Sequence, residues 1–281
     1  MLYGAIIGDM VGVPFEFLST SDPNFEFFSA YSRFSDDTVL TIAVADALMR
    51  CKNKKEEEAS DIITDRLVYW GKKYPHAGYG TGFAGWLSSS QHLPYNSYGN
   101  GSAMRVSAAG WIYDTLEETE QKAAWTANVS HSHPEGIKGA QATAACVFLG
   151  RNKVTKEKIR DYIEQKYGYD LHRSWKEIVS SEYVWNATCQ GSVPEAIISF
   201  LDSENYEDAV RKAILLKGDA DTMACIAGAI AEAFYGELSD NFKNECRKRL
   251  PSDMLEVVDR FEDYVVNGKN SKKWYSFLPW I

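Results

Sequence analysis

Two short acidic stretches, far apart in the chain, limit what this sequence can fold into more than any other feature. Phe34-Ser35-Asp36-Asp37-Thr38 leads into the apolar run from Thr38 to Met49, and Gly218-Asp219-Ala220-Asp221-Thr222 leads into the small-residue run from Met223 to Tyr235. Taken singly, each is a well-capped helix start with acidic residues in the first turn, where the helix dipole favours anions. If the fold brings the two starts face to face, four carboxylates and two hydroxyls share one small volume. Four such carboxylates cannot all stay ionised unless cations neutralise them. All-oxygen donors suit hard ions such as Mg2+ or Mn2+.

Elsewhere the apolar residues recur at helical spacing, and no run of alternating strands is found, so the spacing predicts an all-α fold. With 281 residues and 45% hydrophobic content, the chain is long enough for one large domain over 1–281. A first helix over 3–13 carries Gly4, Gly8 and Gly12 four apart, which lets another helix approach closely, and Pro14 ends it or starts a turn. Residues 19–34 read as loop. Further helices are predicted over 36–50, 59–73 after a charged turn at 52–58, 102–114, 119–130, 136–149 and 155–167. Helix 194–202 has Pro194 in its first turn, and 206–216, 222–236, 240–249 and 251–266 follow before an aromatic tail ending Trp280-Ile281. Residues 75–101, rich in glycine, proline and aromatics, form the longest irregular stretch, and such loops tend to be functional. The segment 171–191 is ambiguous, with Trp175 and Trp185 taken as packing residues.

A net charge of −9 and the lack of a basic stripe argue against a nucleic-acid backbone or an anionic membrane as partner. The five cysteines are scattered, show no CxxC spacing and suit a reducing compartment, with Cys146 and Cys225 as small buried hydrophobes. The N-terminus has no basic region and carries Asp9 and Glu16, so it is not read as a signal peptide, and no uncharged run reaches the ~18 residues that span a bilayer. A cytoplasmic monomer is expected. The sequon at Asn100 fits that location, because a glycan there would block the site described next.

Four more stretches bear on chemistry. Glu16, in Val13-Pro14-Phe15-Glu16-Phe17, is either a carboxylate that reaches water or one in an apolar site, available as metal ligand or acid/base. Gly78-Tyr79-Gly80-Thr81-Gly82 and Gly99-Asn100-Gly101-Ser102-Ala103-Met104-Arg105 are glycine turns whose bared amides, with Ser102 and Arg105, suit a pyrophosphate. His131 and His133, two apart and without cysteine nearby, make a poor zinc set; one of them binding a phosphate or capping the helix near Glu135 fits better.

In this order, GAIIGDMVGVPFE, SDDT, GYGTGF, GNGSAMR, SHSHPEG and GDADT resemble the ADP-ribosylglycohydrolase family from about residue 3 to residue 236. That family includes the enzyme that removes ADP-ribose from dinitrogenase reductase and the eukaryotic ADP-ribosyl-acceptor hydrolases. The resemblance implies a compact all-α protein with two Mg2+ or Mn2+ ions at the bottom of a cleft. It implies Ser35, Asp36, Asp37, Asp219, Asp221 and Thr222 as metal ligands, with Asp221 bridging. Glu16, with Asp36 and Asp37, is implied in catalysis. Gly80, Gly82, Gly99, Asn100, Gly101, Ser102 and Met104 are implied around the diphosphate and distal ribose, and His131 against the ligand. Two departures stand out: Ser35 replaces a threonine, and Lys217-Gly218 replaces the more usual Gly-Gly. The activity implied is hydrolysis of the bond between ADP-ribose and an acceptor, a modified protein side chain, through an oxocarbenium-like state. The alternatives are a hydrolase of free ADP-ribosyl or related nucleotide conjugates and a non-catalytic ADP-ribose-binding protein.

Overall fold

The computed structural model describes residues 1–181, 183–236 and 238–268, and among these are fifteen α-helices and no β-ladder. They are α1 (Tyr3–Gly12), α2 (Asp36–Arg50), α3 (Glu56–Lys73), α4 (Thr81–Ser88), α5 (Gly101–Met104), α6 (Ser107–Ile112), α7 (Leu116–Asn128) and α8 (Pro134–Arg151). After them come α9 (Lys156–Tyr167), α10 (Trp175–Ser180), α11 (Cys189–Leu201), α12 (Tyr206–Leu215), α13 (Ala220–Tyr235), α14 (Asp240–Arg249) and α15 (Ser252–Asp263). The all-α expectation holds. The aromatic tail lies outside the described residues. No helix among those described is long and apolar enough to cross a membrane.

Helix α13 is the axis of the packing. Every residue from Ala220 to Ala233 is buried, which is why its sequence is apolar or small all round rather than two-faced. Helices α1, α8, α11 and α12 enclose it. Helix α1 lies directly on it, and the glycine stripe makes that possible: a methyl at Gly8 would sit 2.1 Å from the carbonyl oxygen of Ala224, and one at Gly12 2.4 Å from the Cα of Asp221. The backbones therefore touch where side chains would normally hold two helices 8–10 Å apart, roughly, axis to axis. This contact carries Asp9 of α1 to the start of α13.

Several boundaries differ from the sequence expectation. The stretch 75–101 contains α4, whose glycines at 80, 82 and 85 obscure the helical pattern. The expected helix 102–114 is two, α5 and α6, with the break at Arg105, where the chain turns so that the guanidinium reaches the interior. Helix α11 starts at Cys189, capped by Thr188 through Gly191 N–H, so Pro194 lies inside the helix and not in its first turn. Helix α3 takes in Glu56, Glu57 and Glu58 as its acidic first turn, residues expected in a loop. All five cysteines are buried and free.

Candidate metal centre and the cleft above it

The two acidic helix starts meet. Ser35 caps α2, its hydroxyl accepting from the Asp37 N–H at 3.2 Å. Asp219 stands at the N-cap position of α13. The Thr222 hydroxyl reaches across to donate to Asp37 Oδ2 at 3.3 Å, joining residues 185 positions apart. Around this junction, carboxylate oxygens of Asp9, Asp37 and Asp221 lie within 4.8 Å of one another, and so do those of Glu16, Asp219 and Asp221. Asp221 belongs to both groups. Asp36 belongs to neither, but lines the space above them.

Asp9 was not singled out in the sequence as a site residue. It is fully buried and accepts from the backbone N–H of Ser35 (2.9 Å) and Thr38 (3.1 Å), from the Ser35 hydroxyl (2.6 Å) and from the Thr38 hydroxyl. With four donors on its two oxygens, three of them on Oδ2, Asp9 holds the start of α2 in place. The same bond engages the Ser35 hydroxyl, expected as a ligand, with Asp9. Asp37 is the opposite case: it is 2% exposed, and its Oδ1 has no hydrogen-bond partner among the described residues. A buried carboxylate oxygen without a donor is costly unless a cation fills the position.

The electrostatics agree. Burial first, then repulsion from neighbouring carboxylates, pushes Asp37 and Asp221 well above the usual carboxylate range. Burial likewise raises Asp9 and Asp219, against hydrogen bonds that stabilise their charge. Asp36 is pushed up to about 8 by burial and by Asp9 and Asp219. Glu16, half-buried, is pushed up to about 7 by burial and by Asp219 and Asp9, with Arg33 partly offsetting the shift. Six acids in this state accept protons or cations. The all-oxygen donor set and the orphaned Asp37 oxygen fit hard divalent ions.

Above the junction opens a cleft of about 400 Å³, lined by Gly80, Gly82, Gly99, Asn100, Gly101, Met104 and His131 together with Glu16, Asp36, Asp37, Asp219, Asp221 and Thr222. At Gly82, Gly99 and Gly101 a side chain would press on a neighbour, on Tyr95, Ser97 and His131 in turn. A methyl on Gly101 would press on the His131 ring at 3.1 Å, and Gly78, at φ +104°, turns the backbone past Asp36 in a conformation that disfavours side chains. The loop holding Gly99 is tied to the segment before α11 by Asn100 N–H to Ala187 O and Cys189 N–H to Tyr98 O, both 2.9 Å. At the mouth stand Phe17 and Trp185, ring centroids 6.4 Å apart. Trp185 is thus a rim residue and not the packing residue expected; Trp175 does pack, its indole donating to Lys212 O at 2.9 Å.

Two side chains expected at a pyrophosphate face away from it. The Ser102 hydroxyl is buried and donates to Gly136 O at 2.7 Å, and Ser102 does not line the cleft. Arg105 is fully buried, donating to Thr126 O (2.7 Å) and to the Ser130 hydroxyl (2.8 Å). Asn100 lines the cleft, but its amide is already donated to Asp219 Oδ2 (2.7 Å) and Ser192 Oγ (3.1 Å), so it positions an acid of the junction.

The two histidines divide the roles left open between them. His133 caps α8, accepting from Glu135 N–H at 3.1 Å. His131 lines the cleft with Nδ1 2.8 Å from Ser130 Oγ. In the tautomer in which Nδ1 accepts from this hydroxyl, the ring proton stands on Nε2, where it can donate into the cleft. Burial and the nearby Arg105 charge hold the imidazole neutral, its pKa well below the usual value. Lys217, the departure noted in the sequence, is exposed and sits at φ +64°, the left-handed region where glycine is at ease.

Comparison with known proteins comes to the same place. A profile of the ADP-ribosylglycohydrolase family matches residues 1–270. Mouse ADP-ribosylhydrolase ARH3 is 26% identical over 332 residues, covering 90% of this chain and 88% of the relative. ADP-ribosylarginine hydrolase Tri1 of Pseudomonas putida is 27% identical over 266 residues, covering 84% of this chain and 69% of the relative. A solved structure described as an ADP-ribosylglycohydrolase-related protein complex superposes with a TM-score of 0.67 at 20% identity, over 94% of this chain and 93% of that one, which shows the shared fold.

Proposed function

The chain belongs to the ADP-ribosylglycohydrolase family, and we propose that it is a metal-dependent hydrolase that releases ADP-ribose from a modified protein side chain. The observation that carries the reading is the junction itself: two acidic helix starts joined by Thr222 and Asp37 at the base of a cleft. The names of the relatives, ADP-ribosylhydrolase and ADP-ribosylarginine hydrolase, support the substrate class.

Two Mg2+ or Mn2+ ions are the cofactors in this reading, because the two carboxylate groups share Asp221. The residues that would hold them are Asp36, Asp37, Asp219, Asp221 and Thr222, with Glu16 beside them. Ser35, whose hydroxyl oxygen keeps a lone pair while it donates to Asp9, would join this set, and Asp9 braces the start of α2. Bound there, divalent ions would neutralise the carboxylates and supply Lewis acidity at the ribose and its water.

The chain's own residues account for the rest. Gly80, Gly82, Gly99 and Gly101 leave room for the diphosphate to lie against the backbone, and the His131 Nε2–H is a neutral donor to an oxygen of the ligand. Glu16, half-buried at the edge of the junction and lining the cleft, is placed to take a proton from water or return one to the leaving group. Phe17 and Trp185 narrow the mouth. The same reading takes the chain as one catalytic domain and a cytoplasmic monomer, in keeping with its five buried free thiols.

The test is release of free ADP-ribose from ADP-ribosylated peptides in Mg2+. Chelation abolishes it, and Asp37→Ala lowers turnover by about a thousandfold or more, the size expected when several kcal/mol of charge stabilisation is lost. Turnover that survives both treatments would rule the reading out. Tight binding of ADP-ribose with no cleavage of any conjugate would favour a binding protein instead.

A further inference from the structure

The acidic junction has a second face. On the other side of the wall formed by Glu16, Asp36 and Asp221 lies another chamber, of about 540 Å³, and the charged side chains on its exposed side are basic, Arg33 and Lys73, with His76 beside them. The lysine is already neutralised, since Lys73 Nζ lies 2.6 Å from Asp253 Oδ2. Arg33 differs. It makes no hydrogen bond or ion pair among the described residues, and the charge it meets across the chamber is that of Glu16. Among the described residues Glu16 is the carboxylate Arg33 meets, so where a cation or a proton neutralises Glu16 the positive potential of Arg33 is left uncompensated there.

We propose that this chamber receives the acceptor as it leaves ADP-ribose, and that Arg33, helped by His76, selects acceptor segments with a carboxylate next to the modified residue. This rests on the hydrolase reading above, in which the glycine-lined cleft takes the ADP-ribose end and the scissile bond lies over the shared wall. In the step concerned, the bond from the anomeric carbon to the acceptor heteroatom breaks. The water oxygen ends on that carbon, and one of its protons on the acceptor. No oxidant or co-reactant is involved. A cationic neighbour on the acceptor would face Arg33 and be disfavoured, whereas a carboxylate would complete the charge that the ions remove.

The experiment compares kcat/KM in Mg2+ for three ADP-ribosylated peptides, each modified at one side chain and differing only in flanking residues: glutamate, glutamine or lysine. The unaltered protein is expected to cleave them in that order, with about a tenfold spread between glutamate and lysine, as one added or opposed charge pair near a surface would give. The spread shrinks as salt is raised. Arg33→Glu inverts the order and Arg33→Gln flattens it; both are exposed-site changes, so folding is not at issue. Equal rates for the three peptides, or a preference that Arg33→Glu leaves intact, would overturn the chamber while the hydrolase reading stands. Cleavage of none of them would overturn both.

Discussion

The floor and the rim of the same cleft differ in what holds them. On the floor, Asp37, Asp219 and Asp221 are buried and sit on the first turns of α2 and α13, braced by Asp9, Asn100 and Thr222. At the rim, Phe17 is 78% exposed and Trp185 46% exposed. The floor is as rigid as the packing of α1 on α13, so its charge array is preset before any ligand arrives. The rim can adjust, and that is where acceptors would be told apart.

Breaking the floor has the largest expected effect. Gly8→Ala places a methyl 2.1 Å from a backbone oxygen, and no side chain can yield there. The gain in helix propensity, about 1 kcal/mol, is smaller than the cost of forcing α1 off α13, about 3 kcal/mol. Urea denaturation should show a net loss of about 2 kcal/mol, and cation binding should weaken with it. A neutral outcome would mean that α1 is not seated on α13 as described.

Next comes the response to pH. Glu16 and Asp36 have folded pKa values of about 7 and about 8, raised from 4.5 and 3.8. Groups that hold protons more tightly when folded add stability below their unfolded pKa and lose it as pH rises through the folded value. The metal-free protein should therefore lose thermal stability between pH 5 and pH 8, roughly, the window set by those values. Added Mg2+ should restore it, by about 2.7 kcal/mol at a hundredfold excess over Kd, and the increment should be larger at the alkaline end. An increment that does not grow with pH would place the cation elsewhere.

Toward the rim the effects are smaller. Ser130→Ala removes the hydroxyl bonded to His131 Nδ1 and leaves a buried Arg105 N–H short of an acceptor. A penalty of about 1–3 kcal/mol is expected for such a group, read as roughly a tenfold rise in KM with less change in kcat. Nitrogen NMR of the His131 ring should show the proton redistributed between Nδ1 and Nε2; an unchanged tautomer would detach the Ser130–His131 hydrogen bond from ligand binding. Smallest of all, Lys217→Gly relieves a left-handed lysine at the cost of a freer unfolded chain, for a gain of about 0.5 kcal/mol. A clear loss would show that Lys217 makes a contact the structure does not reveal.

Legibility in the sequence follows the same division. The floor was readable because its acids come in contiguous helix-start motifs, where dipole, cap and carboxylate coincide. Gly4, Gly8 and Gly12 announced the close helix contact by their spacing alone. Asp9 escaped because a lone acid looks like ordinary polarity; the signal was there, a carboxylate on an otherwise uncharged helix between two of those glycines. Ser102 and Arg105 were misread because a glycine turn reveals where backbone is bared but not which way the next side chains point. Trp185 reads as a packing residue in the sequence because an aromatic in an ambiguous segment is most often packed, and only the fold puts it at the mouth. The basic second chamber was invisible, since Arg33 and His76 come from separate loops with no motif to link them.

Anomalous scattering from crystals grown in Mn2+ tests the central claim most directly. The account predicts two peaks about 3.5–4 Å apart, as in binuclear hydrolases, both in contact with Asp221 and one of them on Asp37 Oδ1. A crystal with no peak at the start of α13, or with manganese bound only away from Asp37 and Asp221, would contradict it.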